Sequence, residues 1–267
     1  MARLPGCWTS TLLCCAFLLT ACGPSAQTNT EFAERRRVQC LDKFCEGDVE
    51  PKHASNEVAL KVNGQWFIGP RKYFGAASRS AGFEWWEHKP LDSDLARPAE
   101  AQALVVNGNG YDISVEIFLR NDRGLMKGPS RFERLRQAEA DGRLLGKTTL
   151  RPGLDMWRTT ETDGLGPGLW YVATAHVDSD PNGAVLSCRD SNPRFDRCVT
   201  GFYWRPGIVA DMRFRTRHSV DWPEIYQEAM RILQQLKERR SASAHELLAA
   251  NGNLGERRTS AVGPKLR

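Results

Sequence analysis

Long apolar runs are missing from this 267-residue sequence after Cys22, histidine is scarce, and neither sign of charge dominates. The first absence excludes a membrane-crossing helix in the body of the chain, because such a helix needs about 20 consecutive apolar residues. The second leaves His53, His88, His176, His218 and His245, none in a spacing that predicts a catalytic or metal cluster. The net charge of +5 is mild for this length. A net +2 of it comes from Arg257, Arg258, Lys265 and Arg267 against Glu246 and Glu256 near the end of the chain. The remainder is too scattered to form the basic stripe of a nucleic-acid-binding protein, so no nucleic acid is expected as a partner. Local catalytic signatures are missing as well: there is no G-x-S-x-G, no H-E-x-x-H, no Walker loop, and no G-x-G-x-x-G opening a helix after a strand. The expectation is a protein without enzymatic activity, with no catalytic residue, cofactor or metal assigned.

The long apolar run that does exist is N-terminal. Arg3 precedes a stretch from Trp8 through Leu12, Leu13, Phe17, Leu18 and Leu19 to Ala21, too short to span a bilayer and of the length of a signal-peptide core. It ends in Leu19-Thr20-Ala21-Cys22-Gly23, which resembles the bacterial lipobox. That resemblance implies cleavage after residue 21 and lipidation of Cys22, with several acyl chains holding the membrane far more firmly than one. Gly23 in place of an aspartate is the pattern that enteric-type sorting sends to the outer membrane. The expected location is thus the cell envelope, lipid-anchored and facing the periplasm.

Cysteine usage agrees with this location. Cys7, Cys14 and Cys15 leave with the signal, so Cys40, Cys45, Cys188 and Cys198 remain in the body. Four cysteines allow three pairings. Cys40 with Cys45 and Cys188 with Cys198 close the shortest loops and cost the least chain entropy; cross-pairing, which would join the two ends of the body, stays open. Neither spacing matches the C-x(2)-C hooks of zinc sites, and disulfides suit an oxidising envelope.

Residues 22–39 read as a polar tether, helical from Glu31, and a flexible chain of about 17 residues reaches roughly 21 to 25 Å. Residues 40–240 read as the globular part and 241–267 as a polar, disordered tail. Within the globular part Val58, Leu60 and Val62 alternate with Ala59 and Lys61, and Asn63-Gly64 supplies a type I′ hairpin turn before Gln65, Trp66, Phe67 and Ile68. Further strands are expected over Phe83–Trp86, 104–106 and 112–119, with Ile113, Val115, Ile117 and Leu119 on one face and Asn107-Gly108-Asn109-Gly110 as the turn between the last two. A short helix is expected over 130–140 with Phe132 and Leu135 inward. The second half adds strands over Leu154–Thr159, 169–176, 184–188, 199–204 and Ile208–Arg215. Turns are expected at 164–168 and at Asp180-Pro181-Asn182-Gly183. The strongest helix follows. Asp221 is its expected cap with Glu224 as capping-box partner, and Trp222, Ile225, Tyr226, Ala229, Ile232, Leu233 and Leu236 share one face. Strands followed by a helix, twice over, predict an α+β fold of antiparallel sheet with helices packed on one face. Two similar β-rich lobes, 40–145 and 146–240, are the alternative to one continuous domain.

Two local groups invite a chemical reading. His176 followed by Asp178 and Asp180 is the most suggestive titratable cluster, and Asp178, Asp180, Asn182 and Gly183 reproduce the opening of an EF-hand loop. The twelfth loop position is Arg189 where a bidentate glutamate is required, so a turn held by Asx hydrogen bonds is the better expectation. Aromatics are the other signal. Trp85 and Trp86 are adjacent in a strand and must point to opposite faces, so one of them is a candidate exposed anchor. Together with Tyr73 they are the candidate partner-binding residues, because exposed tryptophan and tyrosine bury much area at low entropic cost.

The run Cys40-Leu41-Asp42-Lys43-Phe44-Cys45-Glu46-Gly47-Asp48, then Val62-Asn63-Gly64-Gln65-Trp66-Phe67-Ile68-Gly69-Pro70 and Phe83-Glu84-Trp85-Trp86, resembles the periplasmic immunity proteins paired with lipase toxins of the type VI secretion system. The likeness covers chiefly residues 40–86, under a quarter of the chain. It implies a secreted or lipid-anchored inhibitor that binds a cognate phospholipase effector, and it carries no inhibitory residues to transfer. A structural or assembly lipoprotein of the envelope shares every feature above and is the alternative; a hydrolase built on His176, Asp178 and Asp180 ranks third.

Overall fold

In the computed structural model, residues 33–35, 40–74, 80–92, 94–122, 128–159, 168–188 and 196–239 are described. Residues 1–21 and Cys22, expected as signal and lipid site, most of 23–39, expected as a tether, residues 160–167, Arg189, and 241–267, expected as a tail, lie outside the described residues; Ala33, Glu34 and Arg35 are helical.

The chain opens with the hairpin that its sequence announces. β1 (Glu57–Val62) and β2 (Gln65–Pro70) pair antiparallel, with Val62 opposite Gln65. Asn63 (φ 49°) and Gly64 (φ 73°) take the left-handed conformations that a type I′ turn demands. β12 (Lys237–Arg239) adds to the far side of β2, making a three-stranded sheet of order β1-β2-β12. Both faces of β1 are covered, so Ala59 and Lys61 are buried as well as Val58, Leu60 and Val62.

The larger sheet has nine strands. They are β3 (Ser80–Trp86), β4 (Lys89–Pro90), β5 (Ser114–Asn121), β6 (Leu144–Arg151), β7 (Leu154–Thr159), β8 (Gly168–Ala173), β9 (Val185–Cys188), β10 (Arg197–Arg205) and β11 (Ile208–Arg215). Their spatial order is β4-β3-β5-β11-β10-β9-β8-β7-β6, all antiparallel. β5 lies against β11, so the sheet runs across residue 145, where two lobes would have divided, and one core spans both halves. The body is one continuous α+β unit.

Three helices accompany the sheets among the described residues. α3 (Trp222–Leu233) buries Trp222, Ile225, Tyr226, Ala229, Ile232 and Leu233, the stripe expected from their spacing. It packs with the small sheet on the face of the large sheet that carries Phe83, Trp85, Val115, Ile117, Phe202 and Met212. α2 (Arg131–Ala140) starts with a complete capping box: Ser130 Oγ accepts the Glu133 N–H, and Glu133 accepts the Ser130 N–H. Leu135 and Ala138 of α2 pack on Trp157, Trp170, Val172 and Val185. Because Trp170 and Val172 alternate with Tyr171 and Ala173 of the first core, α2 sits on the opposite face from α3. The helices are therefore distributed over both faces.

Some sequence expectations change in the folded chain. Residues 104–106, expected as a strand, end the helix α1 (Ala99–Val106), because the preceding Ala99-Glu100-Ala101-Gln102-Ala103 are strong helix formers and outweigh two valines. The Asn107-Gly108 turn ends that helix, with Gly108 at φ 77°, and leads into a 3-10 turn at Gly110–Asp112. Residues 174–176 leave the strand as a 3-10 turn. Asp221 precedes α3 but makes no side-chain cap, because its carboxylate is engaged by Trp85 and His88; Glu224 pairs with Arg151 at 2.5 Å instead.

Candidate functional site

Both disulfides form in the local pairing. Cys40 joins Cys45 with Cα atoms 5.6 Å apart, and Cys188 joins Cys198, its cross-strand partner between β9 and β10, at 4.1 Å. Two cystines mark a chain that folds in an oxidising, extracytoplasmic compartment. Among the described residues no helix is long and apolar enough to cross a membrane.

Alternation along β3, β5, β11 and β10 sends one set of side chains into the core and the other onto the opposite face. On this outer face Arg213 pairs with Glu116 at 2.5 Å and stacks over Phe118 at 4.2 Å. Arg215 pairs with Asp112 at 3.0 Å and stacks over Tyr111 at 4.4 Å. Arg120 forms a bidentate pair with Asp211. Val199 and Tyr203 of β10 are 45% and 42% exposed, and the Tyr203 hydroxyl donates to Asp122 at 2.7 Å. That hydrogen bond holds the phenol above its ordinary pKa.

Two glycines keep the face open. A Cβ at Gly201 would stand 2.7 Å from Asp211 Oδ1, inside the Arg120 pair, and one at Gly82 would stand 3.1 Å from the Val115 carbonyl oxygen. Above Gly82, Glu116 and Phe118 lies a hollow of about 490 Å³ bounded by Tyr73 and Arg213. A second of about 340 Å³ shares Tyr73, Gly82 and Glu116 and continues to Leu95 and Arg97. Arg97 chelates Glu84 there at 2.6 and 2.7 Å. Arg213 is 41% and Arg215 14% exposed, and each is stacked on an aromatic ring and paired with a carboxylate; arginine and aromatic residues are the types enriched at protein interfaces.

The three sequence-predicted contact residues separate on folding. Trp85 belongs to the core face, is fully buried, and donates from Nε1 to Asp221 Oδ2 at 2.8 Å. A partner cannot reach it, because α3 and the core cover that side of β3; this corrects its expected role. Trp86 points the other way, is half-buried, and its buried indole nitrogen has no hydrogen-bond partner among the described residues. Tyr73 borders the hollow; its carbonyl accepts the Gly82 N–H and its hydroxyl accepts from Arg231. The residues that sequence reading passed over are Glu116, Phe118, Arg213 and Arg215. Their signal was present, since Glu116-Ile117-Phe118-Leu119-Arg120 and Asp211-Met212-Arg213-Phe214-Arg215 alternate core and surface types.

The cluster around His176 resolves as architecture. Asp180 Oδ1 accepts the backbone N–H groups of Asn182 (3.3 Å) and Gly183 (2.8 Å), and Oδ2 accepts the Tyr226 hydroxyl at 2.7 Å. This is the expected Asx turn, bolted to α3. Burial and that hydrogen bond raise the Tyr226 pKa far above its ordinary value. Among the described residues no group of three or more His, Cys, Asp or Glu has metal-binding spacing.

Sequence gave no warning of one further pair. The β3–β4 hairpin turns through Glu87 (φ 47°) and His88 (φ 64°), both left-handed without glycine, a conformation that costs about 1 to 2 kcal/mol per residue. His88 Nδ1 lies 2.7 Å from Asp221 Oδ1, tying the turn to the start of α3, with Glu224 and Arg151 nearby. The hydrogen bond to Asp221 raises the imidazole above its ordinary 6.5. A raised folded-state value means that the pair contributes fully below about 6.5 and that its contribution fades as pH rises through the folded value. Thermal melts of wild type and His88→Ala should therefore differ most below about pH 6.5 and draw together as pH rises through the folded value; a difference that grows with pH would refute the pairing.

Compared with protein-family models, curated proteins and solved structures, the chain matches none of them.

Proposed function

We propose that this chain is a lipid-anchored periplasmic immunity protein that binds and inhibits a cognate type VI secretion lipase. The observation that carries the reading is the outer face of β3-β5-β11-β10: arginines locked over aromatic rings beside two hollows, on a sheet braced by a cystine. An inhibitor of this kind works by occlusion. It needs a rigid surface whose side chains are ordered before contact, because ordering them on binding costs about 0.5–1.5 kcal/mol each. Ion pairs such as Arg213–Glu116 add little to stability at such exposure, yet they fix the guanidinium where a partner would meet it. The extracytoplasmic disulfides, the lipobox-like Cys22 and the resemblance over residues 40–86 support the same reading, with Gly23 favouring the outer membrane. Anchoring on the membrane that the toxin attacks raises the inhibitor's effective concentration there.

The test uses the lipase encoded beside the chain. Mature oxidised protein should form a one-to-one complex with it and stop phospholipid hydrolysis in vesicles, and mass spectrometry should find Cys22 acylated. Arg213→Ala should weaken that complex by about 30- to 100-fold, the scale of a central arginine contact, with a change in melting temperature no larger than about 4 °C, because an exposed ion pair contributes at most about 1 kcal/mol. Wild-type protein that neither binds nor inhibits the lipase would remove this function.

A further inference from the structure

α2 begins on Arg131, and the start of that helix is docked on the turn that follows Asp180. Asn182 Oδ1 accepts the Arg131 N–H at 3.0 Å, and the Pro181 carbonyl accepts the Phe132 N–H at 3.1 Å. The Arg131 side chain is thereby held, half-buried, where α2 meets β10. Its Nη1 donates to Thr200 Oγ1 at 2.9 Å, and its Nη2 lies 3.6 Å from the point where a Cβ at Gly201 would stand. Gly201 contributes no side chain to the space beside Nη2.

A guanidinium has five N–H donors, and this one makes a single side-chain hydrogen bond among the described residues, with no carboxylate paired to it. Arg120, Arg213 and Arg215 on the same sheet each carry one. The two carboxylates that act on Arg131 from nearby, Asp211 and Asp180, are committed elsewhere. Arg120 holds Asp211 through two N–H groups, and Asp180 accepts from Asn182, Gly183 and Tyr226. Arg134 and Arg120 add charge of the same sign. Burial first, and then the Arg134 charge, push the Arg131 guanidinium down to about 10, which leaves it cationic at neutral pH. Taking a cation out of water without a counter-charge costs stability, and such groups are normally paired. The fold therefore holds Arg131 against its own stability, with donors unused.

We infer that Arg131 is an oxyanion receptor: its Nη2 and Nε groups receive a carboxylate in the space beside Gly201. A carboxylate suits this edge because its two oxygens match two parallel N–H bonds. The site adjoins the Arg120–Asp211 pair on the face proposed to meet the toxin. An Asp or Glu of that partner is one source of the carboxylate, and only this source rests on the preceding reading; a free carboxylic acid is the other.

The experiment is two-dimensional NMR of the full, oxidised chain in detergent micelles. It follows the Arg131 Nε–H and the Thr200 and Gly201 amides while sodium acetate is added, with sodium chloride at matched ionic strength as the control. Expected are saturable shifts with acetate alone, and binding about 10- to 100-fold weaker at the two amides in Arg131→Met, the scale of one charge-assisted contact. The same variant separates a receptor from a structural arginine. It removes an uncompensated cation, and Thr200 Oγ1 keeps its bond to the Val185 carbonyl, so it should melt no more than about 3 °C below wild type. Absence of a saturable shift, equal shifts with chloride, equal binding to the variant, or a larger drop in its melting temperature overturns the inference. Competition between acetate and the neighbouring lipase assigns the carboxylate to the partner, whereas acetate binding that the lipase leaves untouched assigns it to a free acid; both uphold the receptor. Should the lipase not bind at all, the immunity reading fails while the acetate titration still decides this site.

Discussion

Trp222→Ala is expected to destabilise the protein by about 4 kcal/mol, the scale for truncating a fully buried aromatic, which lowers the melting temperature by about 10 °C for a body of this size. Trp222 is the first residue of α3 and is completely buried. Its ring stacks on Phe214 of β11 at 6.0 Å and meets Tyr226 edge-on at 5.5 Å, and its Nε1 donates to the Ala184 carbonyl at 3.0 Å. The loss therefore combines a large cavity with one lost hydrogen bond to the Ala184 carbonyl, which keeps the Ala173 N–H as a donor. Trp222→Phe should retain much of the packing and cost about half as much. Chemical denaturation of oxidised protein checks both, and a loss below about 2 kcal/mol for alanine would mean that α3 contributes less to the core than its burial implies.

Asp42→Ala follows at about 3 kcal/mol. Asp42 is buried and collects the backbone N–H groups of Asn63 and Asn121 together with the Asn121 side-chain amide, at 2.6 to 3.2 Å. One carboxylate thus ties the Cys40–Cys45 loop to the β1–β2 turn and to the end of β5. Charge-assisted bonds contribute about 1.5–3 kcal/mol, and each buried donor left unsatisfied costs about 1–3 kcal/mol; water entering the hollow that Asp42 lines recovers part of that. Asp42→Asn keeps one acceptor and should cost roughly a third as much. Amide exchange in the alanine variant should accelerate most at Asn63 and Asn121, beyond the general rise that lower global stability brings to α3. Exchange that rises uniformly would point to global destabilisation and sink the local account.

Elements governed by local rules were legible before folding. The Asn63-Gly64 turn, the short helix over 130–140 and the apolar stripe of α3 each follow from residues a few positions apart. Errors arose where two local signals competed or where distant residues intervened. The valines that end α1 imitate a strand, and Asp221 has the chemistry of a cap but is taken by Trp85 and His88, more than 130 positions earlier. β6 went unseen because six of its eight residues are exposed, leaving no alternation to read, and β12 is three charged residues that pair with β2. The candidate site shows the same division. That Trp85 and Trp86 face opposite ways is strand geometry, whereas which of them α3 covers is not.

What the sequence determined by itself was the set of short-range choices: turn chemistry, the core faces of β5 and α3, and four body cysteines suited to an oxidising compartment. What only the tertiary structure decided was the order of the strands. Pairing β5 with β11 across some ninety residues merged two expected lobes into one sheet and gathered Glu116, Phe118, Arg213 and Arg215 onto one face. The physical reason is that backbone propensity and side-chain alternation act within a few residues, while the partner of a strand is settled by whichever apolar faces bury most area together. That comparison involves the whole chain at once.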